Sequence, residues 1–284
     1  MSASVTALDL FLLLLVALVP ALFYLSWVRK SERFATEPWG PLLSSFVYGA
    51  VIATIVAGIL EAALVAGGTA FSQAYPAPEF TFLNGSSTAG VFFLILVLAP
   101  LIEEALKASG VVAQASRLRL VSDGPVFGAS VGLGFGFLET LLYGVGAYVT
   151  GGLAAGIALI LVRSLSSVLL HGSSTGMFGY GYAKSKLAGQ SGASGRYYLL
   201  AVLMHATFNV LASLGVIAAL LGFGSTAQTY ADYLGLFLAI FYAFSAIEYV
   251  RRVIADPNLS AAMGGANRFR PPPARNRPSG PPTR

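Results

Sequence analysis

The segment LAPLIEEALKASG, residues 98–110, sets three charged side chains inside a long apolar run. Glu103, Glu104 and Lys107 stand almost side by side in it. A charged group at the centre of a membrane helix costs roughly 2.5–3.5 kcal/mol on insertion scales, so it normally faces protein or a water-filled cavity. The fold therefore depends on whether this segment crosses a membrane.

The composition of the chain is that of a membrane protein. Hydrophobic residues make up 56% of the 284 residues and charged residues only 10%, and the mean hydropathy is +0.75. Soluble domains usually carry about 25% charged residues. Several apolar runs approach the roughly 20 residues that a helix needs to cross the hydrocarbon core. We therefore expect an all-α polytopic membrane bundle. The absence of cysteine excludes disulfides and cysteine–metal sites.

Seven apolar runs predict about seven transmembrane helices, and the basic residues predict their direction. Lys and Arg follow the first, third, fifth and seventh runs and are absent after the others. Because such residues gather in cytoplasmic loops, the N-terminus is expected outside the cell membrane and the C-terminus in the cytoplasm. The fifth run begins Gly-rich and leaves room for an eighth, short or re-entrant helix. The runs are residues 7–28, 42–66, 89–115, 125–149, 157–183, 198–221 and 233–250.

The chain divides into four predicted regions. Residues 1–88 hold two helices and an outer loop, and the first run is read as a retained span, because no basic stretch precedes it as in a signal peptide. Residues 89–222 form the predicted catalytic core, and residues 223–253 the last helix. Residues 254–284 form a Pro- and Arg-rich tail that is expected to be disordered. Its arginines can meet anionic headgroups or remain solvated, and they supply much of the net charge of +5, so no nucleic-acid partner is predicted.

Few ionisable groups remain inside the predicted spans, and their spacing groups them. Lys107 follows Glu103 by four residues and Glu104 by three, so it can neutralise one carboxylate and leave the other for chemistry. His205 and Asn209 also lie four residues apart. The groups considered are Glu61, Glu103, Glu104, Lys107, Glu139, Arg163, His171 and His205.

Each of these residues also has a structural interpretation. Glu103 with Lys107 can staple two helices, either histidine can be a satisfied core residue, and Asn209 can join helices by hydrogen bonds. Arg163 is expected to partner a carboxylate or to anchor the outer leaflet. Glu61 is expected to be structural or to reach toward the headgroups.

Four motifs in chain order resemble those of the PrsW family of intramembrane proteases. EEALK (residues 103–107) resembles E-E-x-x-K, and FGFLE (residues 135–139) resembles F-x-x-x-E. A histidine, His171, follows in a third span, and HATFN (residues 205–209) resembles H-x-x-x-N. The related CAAX prenyl endopeptidases usually carry E-E-x-x-x-R and F-x-x-x-H instead, which counts against prenyl-protein processing. The resemblance covers roughly residues 91–211.

The resemblance implies an intramembrane endopeptidase that cleaves a membrane-anchored, single-span protein, which in the best-known relatives is an anti-sigma factor. It assigns Glu103 and Glu104 as the catalytic carboxylates and His171 to proton transfer. His205 and Asn209 would stabilise the oxyanion. Glu139 replaces a histidine of the CAAX group, and its role is the least defined. Lys107 and Arg163 would support the site.

The chemistry leaves two alternatives open. A metal-free reaction is favoured, with Glu103 as the base, held ionised by Lys107 while Glu104 keeps a proton. Zinc held by His171, His205 and Glu104 is the alternative, although the H-E-x-x-H helix of many zinc proteases is missing. Membrane-embedded Glu and His also occur in proton-coupled transporters, but no internal inverted repeat of the transporter kind is present.

Overall fold

Every regular element in the described residues, 6–33 and 36–257, is a helix in the computed structural model. The predicted tail falls almost entirely outside them. A short 3₁₀ helix, Pro78–Leu83, lies between the second and third long helices. The others are α1 (Ala7–Arg29), α2 (Trp39–Ala74), α3 (Thr88–Ala113), α4 (Asp123–Ser164), α5 (Ser167–Ala188), α6 (Ala193–Ala212), α7 (Leu214–Leu220) and α8 (Ser225–Ala255).

The all-α membrane bundle is confirmed. Five helical stretches in the described part of the chain are long and apolar enough to cross a membrane, and a sixth is added if α6 and α7, bent by 64°, form one span. One of the five stretches, Asp123–Ala188, is 66 residues long and joins α4 to α5. The exact count of seven or eight crossings stays a prediction.

The chain reverses inside this long stretch. Gly152 has φ 82° and ψ 178° and divides α4 into two arms, a backbone conformation that glycine adopts without steric penalty. The second arm folds back on the first, since Gly144 lies against Ile160. A turn at Leu165–Ser166 then separates the second arm from α5. The fifth predicted span is thus broken, at a point after its Gly-rich start.

Glycines at every fourth position let α4 and α5 pack backbone to backbone. A Cβ on Gly124 would lie 2.2 Å from the carbonyl oxygen of Gly179, and one on Gly128 would lie 2.3 Å from that of Thr175. A Cβ on Gly132 would lie 2.0 Å from the carbonyl oxygen of His171. Small residues at this spacing allow membrane helices to approach closely. These glycines therefore set the distance between His171 and α4.

We expect Gly132→Ala to lower both stability and activity. The added methyl must push α5 away, and overpacking of this kind typically costs about 1–3 kcal/mol. Thermal unfolding in detergent and substrate cleavage measure the two effects. Gly146→Ala on the same helix is the control, since a Cβ there meets nothing within 4 Å. Equal behaviour of the two variants would contradict the packing argument.

A carboxylate in the loop between α1 and α2 should make stability depend on pH. Burial raises the pKa of Glu32 to about 7, against about 4.3 in an unfolded chain. The folded state therefore favours the protonated acid, and this contribution is lost as the pH rises from about 4.3 through 7. The unfolding temperature of Glu32→Gln should equal that of the wild type near pH 4 and exceed it near pH 8. A difference that does not change with pH would refute this.

Candidate functional site

The charged cluster begins on the last four turns of α3, the segment Ala99–Ala113. The side chain of Lys107 is fully buried, and those of Glu103 and Glu104 are 7% and 1% exposed. The ammonium of Lys107 lies 2.7 Å from Glu104 and 3.4 Å from Glu103, as the i+3 and i+4 spacing predicts. Buried charges of this kind are tolerated when they are paired and hydrogen-bonded.

Glu104 is the carboxylate that the surrounding protein holds most firmly. Besides the ammonium of Lys107, it accepts hydrogen bonds from the hydroxyls of Ser174, at 3.0 Å, and Thr175, at 3.3 Å. Nδ1 of His205 lies 3.2 Å from it. Sequence reasoning paired Lys107 with Glu103 and left Glu104 protonated, but the contacts favour an ionised Glu104. Among the described residues, Glu103 accepts only the longer bond, from Lys107.

His171 is held on both sides of its ring. Nζ of Lys107 lies 2.9 Å from Nδ1, and a carboxylate oxygen of Glu139 lies 2.9 Å from Nε2. Because an ammonium only donates, Nδ1 is the acceptor, and Nε2 carries the proton that goes to Glu139. One tautomer of His171 is thereby selected.

Glu139 is held in turn by the second arm of α4. Arg163 donates to it at 2.6 Å, and the hydroxyl of Ser167 lies 3.4 Å from the same carboxylate oxygen. Arg163 therefore takes one of the two structural roles expected for it, that of a carboxylate partner. The reversal at Gly152 brings Arg163 back to Glu139, 24 residues earlier in the chain.

Glu103 and the two histidines surround a common point. Oε2 of Glu103 lies 3.9 Å from Nδ1 of His171 and 3.8 Å from Nδ1 of His205. One ligand atom from each of the three residues lies within 4.8 Å of the others. Two imidazoles and one carboxylate form a donor set typical of catalytic zinc. The Glu139–His171 bond supplies the outer carboxylate that usually orients such a histidine. Glu103, His171 and His205 therefore fit a divalent metal ion. The zinc alternative in the sequence analysis had Glu104 as the carboxylate ligand in place of Glu103.

Asn209 makes its contact outside this cluster. Its amide donates to the carbonyl of Ile95 at 2.6 Å. Ile95 lies in a π-helical segment, Leu94–Leu98, where the N–H of Ala99 bonds to Leu94 and Pro100 has no N–H to offer. The carbonyl of Ile95 is thus left for another donor. The observed role of Asn209 is to join α6 to α3.

The structure brings together five of the six residues that the sequence assigned to catalysis: Glu103, Glu104, Glu139, His171 and His205. Sequence reasoning missed three hydroxyl donors, Ser167, Ser174 and Thr175. Their signal was available, since they lie four residues before, three after and four after His171 on one helix and so share its face.

The chain matches the model of a known family over residues 37–244, described as PrsW family intramembrane metalloprotease. It belongs to that family and is an intramembrane protease. A similar protein is Protease PrsW of Clostridioides difficile (strain 630). The two are 26% identical over 211 residues, which cover 72% of this chain and 79% of the relative. No solved structure matches the chain. The family assignment favours the peptidase over the transporter.

Proposed function

We propose that the protein is an intramembrane endopeptidase whose reaction centre is the buried cluster on α3, α4, α5 and α6. The observation that carries the proposal is the convergence of Glu103, His171 and His205 around one point. Around them, Lys107 and Glu139 hold His171 in one tautomer. Preorganised groups of this kind in a water-poor site are what hydrolysis of a peptide bond requires.

Glu103, His171 and His205 would hold a divalent metal ion, for which zinc fits best. When bound, such an ion supplies Lewis acidity toward water and the scissile carbonyl. Glu104, beside the centre, is positioned to accept a proton from the attacking water and to return it to the leaving amine. Lys107, Ser174 and Thr175 keep its carboxylate in place.

A metal-free reaction is the second proposal, and the position of Lys107 favours it. Its ammonium lies 2.9 Å from Nδ1 of His171, an atom that a metal ion would need. In that version Glu103 activates water directly and His171 assists the proton transfer. Asn209 would stabilise the oxyanion with His205 only if one of its N–H groups were free of the bond to Ile95.

The substrate proposed is a single-span membrane protein that enters from the lipid bilayer. A membrane-anchored anti-sigma factor is one example, by family analogy. The test is incubation of purified wild-type protein in detergent with a peptide spanning a membrane segment, followed by mass spectrometry of the products. We expect cleavage without any ion gradient and one new amino terminus. Transport activity in vesicles without cleavage of any membrane peptide would overturn the proposal.

We further propose that the loop between α2 and α3 is extracytoplasmic and that the α5–α6 turn is cytoplasmic. The alternation of basic residues supports this direction. The chain has no cysteine, so a single cysteine reports its own position. Ser86→Cys, at an exposed loop position, should react with an impermeant maleimide in intact cells.

Ser191→Cys, exposed in the α5–α6 turn, is the matched variant. It should react only after the cells are lysed. Labelling of Ser191→Cys in intact cells, with Ser86→Cys protected, would reverse the orientation.

A further inference from the structure

One carboxylate next to the reaction centre has an oxygen without a partner. Oε1 of Glu61 is buried and accepts no hydrogen bond from any described residue. A buried, unpaired acceptor typically costs about 1–3 kcal/mol. A side chain that only reached toward the headgroups would not bury an unpaired oxygen. Glu61 therefore has a feature that neither of its expected structural roles explains.

The packing of α2 on α4 sets Glu61 at the level of Glu139. Ala57 of α2 packs in one cluster with Phe135 of α4, and the hydroxyl of Thr54 lies 3.5 Å from the carbonyl of Phe135. Glu61 follows Ala57 by four residues, as Glu139 follows Phe135. The two helices run in the same direction here, because Leu42 contacts Ser130 and the later Thr54 contacts the later Phe135. Since residues four apart share a helix face, both carboxylates lie one turn beyond the same contact.

Glu61 is also electrostatically linked to the centre. The charges of Glu139 and Lys107 act on its carboxylate, and its own charge acts on Glu103. Glu104 and Glu139 are bonded there to cations and histidines, and Glu103 to Lys107. Among the described carboxylates near the centre, Glu61 is the one with a buried oxygen that has no hydrogen-bond partner.

The part of α2 that carries Glu61 is covered by few other residues of the protein. In the segment Thr54–Ala74 of α2, only Thr54 and Ala57 are buried. A substrate segment can therefore lie beside α2 beyond Ala57, next to Glu61. To be cleaved, a membrane helix must expose its scissile peptide bond, and unwinding leaves backbone N–H groups that need acceptors where no water is present.

We propose that Glu61 binds the substrate by accepting a backbone N–H from its unwound segment, next to the bond that is cleaved. The inference rests on the proposed function, since it assigns a role in the same site. Glu61 is thus a substrate-binding residue that positions the scissile bond and takes no part in the pairing of the helices.

The variants Glu61→Met and Glu61→Gln test the role of the carboxylate. Glu61→Met should lower kcat/KM about 10-fold to 100-fold, the range of a hydrogen bond to a charged group. Its unfolding temperature should equal or exceed that of the wild type, because an unpaired buried acceptor is removed. Glu61→Gln keeps a carbonyl acceptor and should lose less activity than Glu61→Met. Glu79→Gln, at an exposed position on the loop after α2, is the control.

Ester-containing substrates give the direct test, because an ester replaces one backbone N–H with oxygen. An ester at one position near the cleaved bond should lower kcat/KM of the wild type and have little further effect on Glu61→Met. Equal losses in both proteins at every position would overturn the inference, as would wild-type activity in Glu61→Met. Failure of the wild type to cleave the all-amide substrate would instead overturn the proposed function. If Glu61→Met does not fold, Glu61→Ala, which also lacks an acceptor, serves the same comparison with the ester series.

Discussion

Replacing Glu103 with glutamine should lower kcat for substrate cleavage on the order of 10³-fold. The change removes the charge of the carboxylate that faces both histidines and leaves a side chain of nearly equal size. Because Glu103 accepts one long bond from the described part of the chain, that from Lys107, the folded state should lose little stability. Cleavage of a membrane-derived peptide by the purified variant measures the effect.

The control for this prediction is again Glu79→Gln, which removes a carboxylate at an exposed position far along the chain from the cluster. It should cleave at the wild-type rate. A Glu103→Gln variant that folds and cleaves within about tenfold of the wild type would remove Glu103 from the reaction.

Replacing Lys107 with methionine should have the largest effect on folding. The ammonium is fully buried and contacts Glu103, Glu104 and His171. Removing one partner of a buried ion pair leaves the other charge uncompensated and costs roughly 3–5 kcal/mol. The unfolding temperature in detergent should fall sharply, and cleavage should be lost because Glu104 loses the ammonium that holds its carboxylate in place.

The double variant Lys107→Met with Glu104→Gln separates charge from packing. Since it removes both partners of the closest pair, it should recover part of the lost stability but none of the activity. If the single variant were as stable as the wild type, the buried ion pair of Lys107 and Glu104 could not be what stabilises this part of the fold.

The composition and the apolar runs were enough to predict a helical membrane bundle, because the bilayer allows few other structures. Spacing within one helix was equally informative. Lys107 lies beside both glutamates, as the i+3 and i+4 rule requires. The resemblance to the family was enough to predict the five residues that form the cluster.

Contacts between helices could not be predicted in the same way. Which glutamate Lys107 approaches more closely depends on Ser174 and Thr175 of α5, which stabilise Glu104 rather than Glu103. Arg163 reaches Glu139 only because the chain reverses at Gly152. The amide of Asn209 donates to the carbonyl of Ile95 because Pro100, five residues further on, has no backbone N–H that could do so. Each outcome depends on backbone geometry or on side chains that only the folded chain brings together.

The buried carboxylate oxygen of Glu61 illustrates the same limit. From the sequence, an isolated carboxylate in the second apolar run is expected to reach toward the headgroups or to serve a structural role. In the structure Glu61 follows Ala57 by one turn, Ala57 packs in one cluster with Phe135, and Oε1 of Glu61 is buried. No feature of the second apolar run by itself predicts that Ala57 packs near Phe135.

The most direct test of the proposed centre measures bound metal and cleavage on one preparation of the wild-type protein and one of Glu103→Gln. We predict about one zinc ion per wild-type chain, loss of zinc and cleavage together on chelation, and recovery of both on adding zinc. Glu103→Gln should lack both. Full cleavage by wild-type protein that holds far less than one metal ion per chain would contradict the metal centre and leave Glu103 to activate water alone.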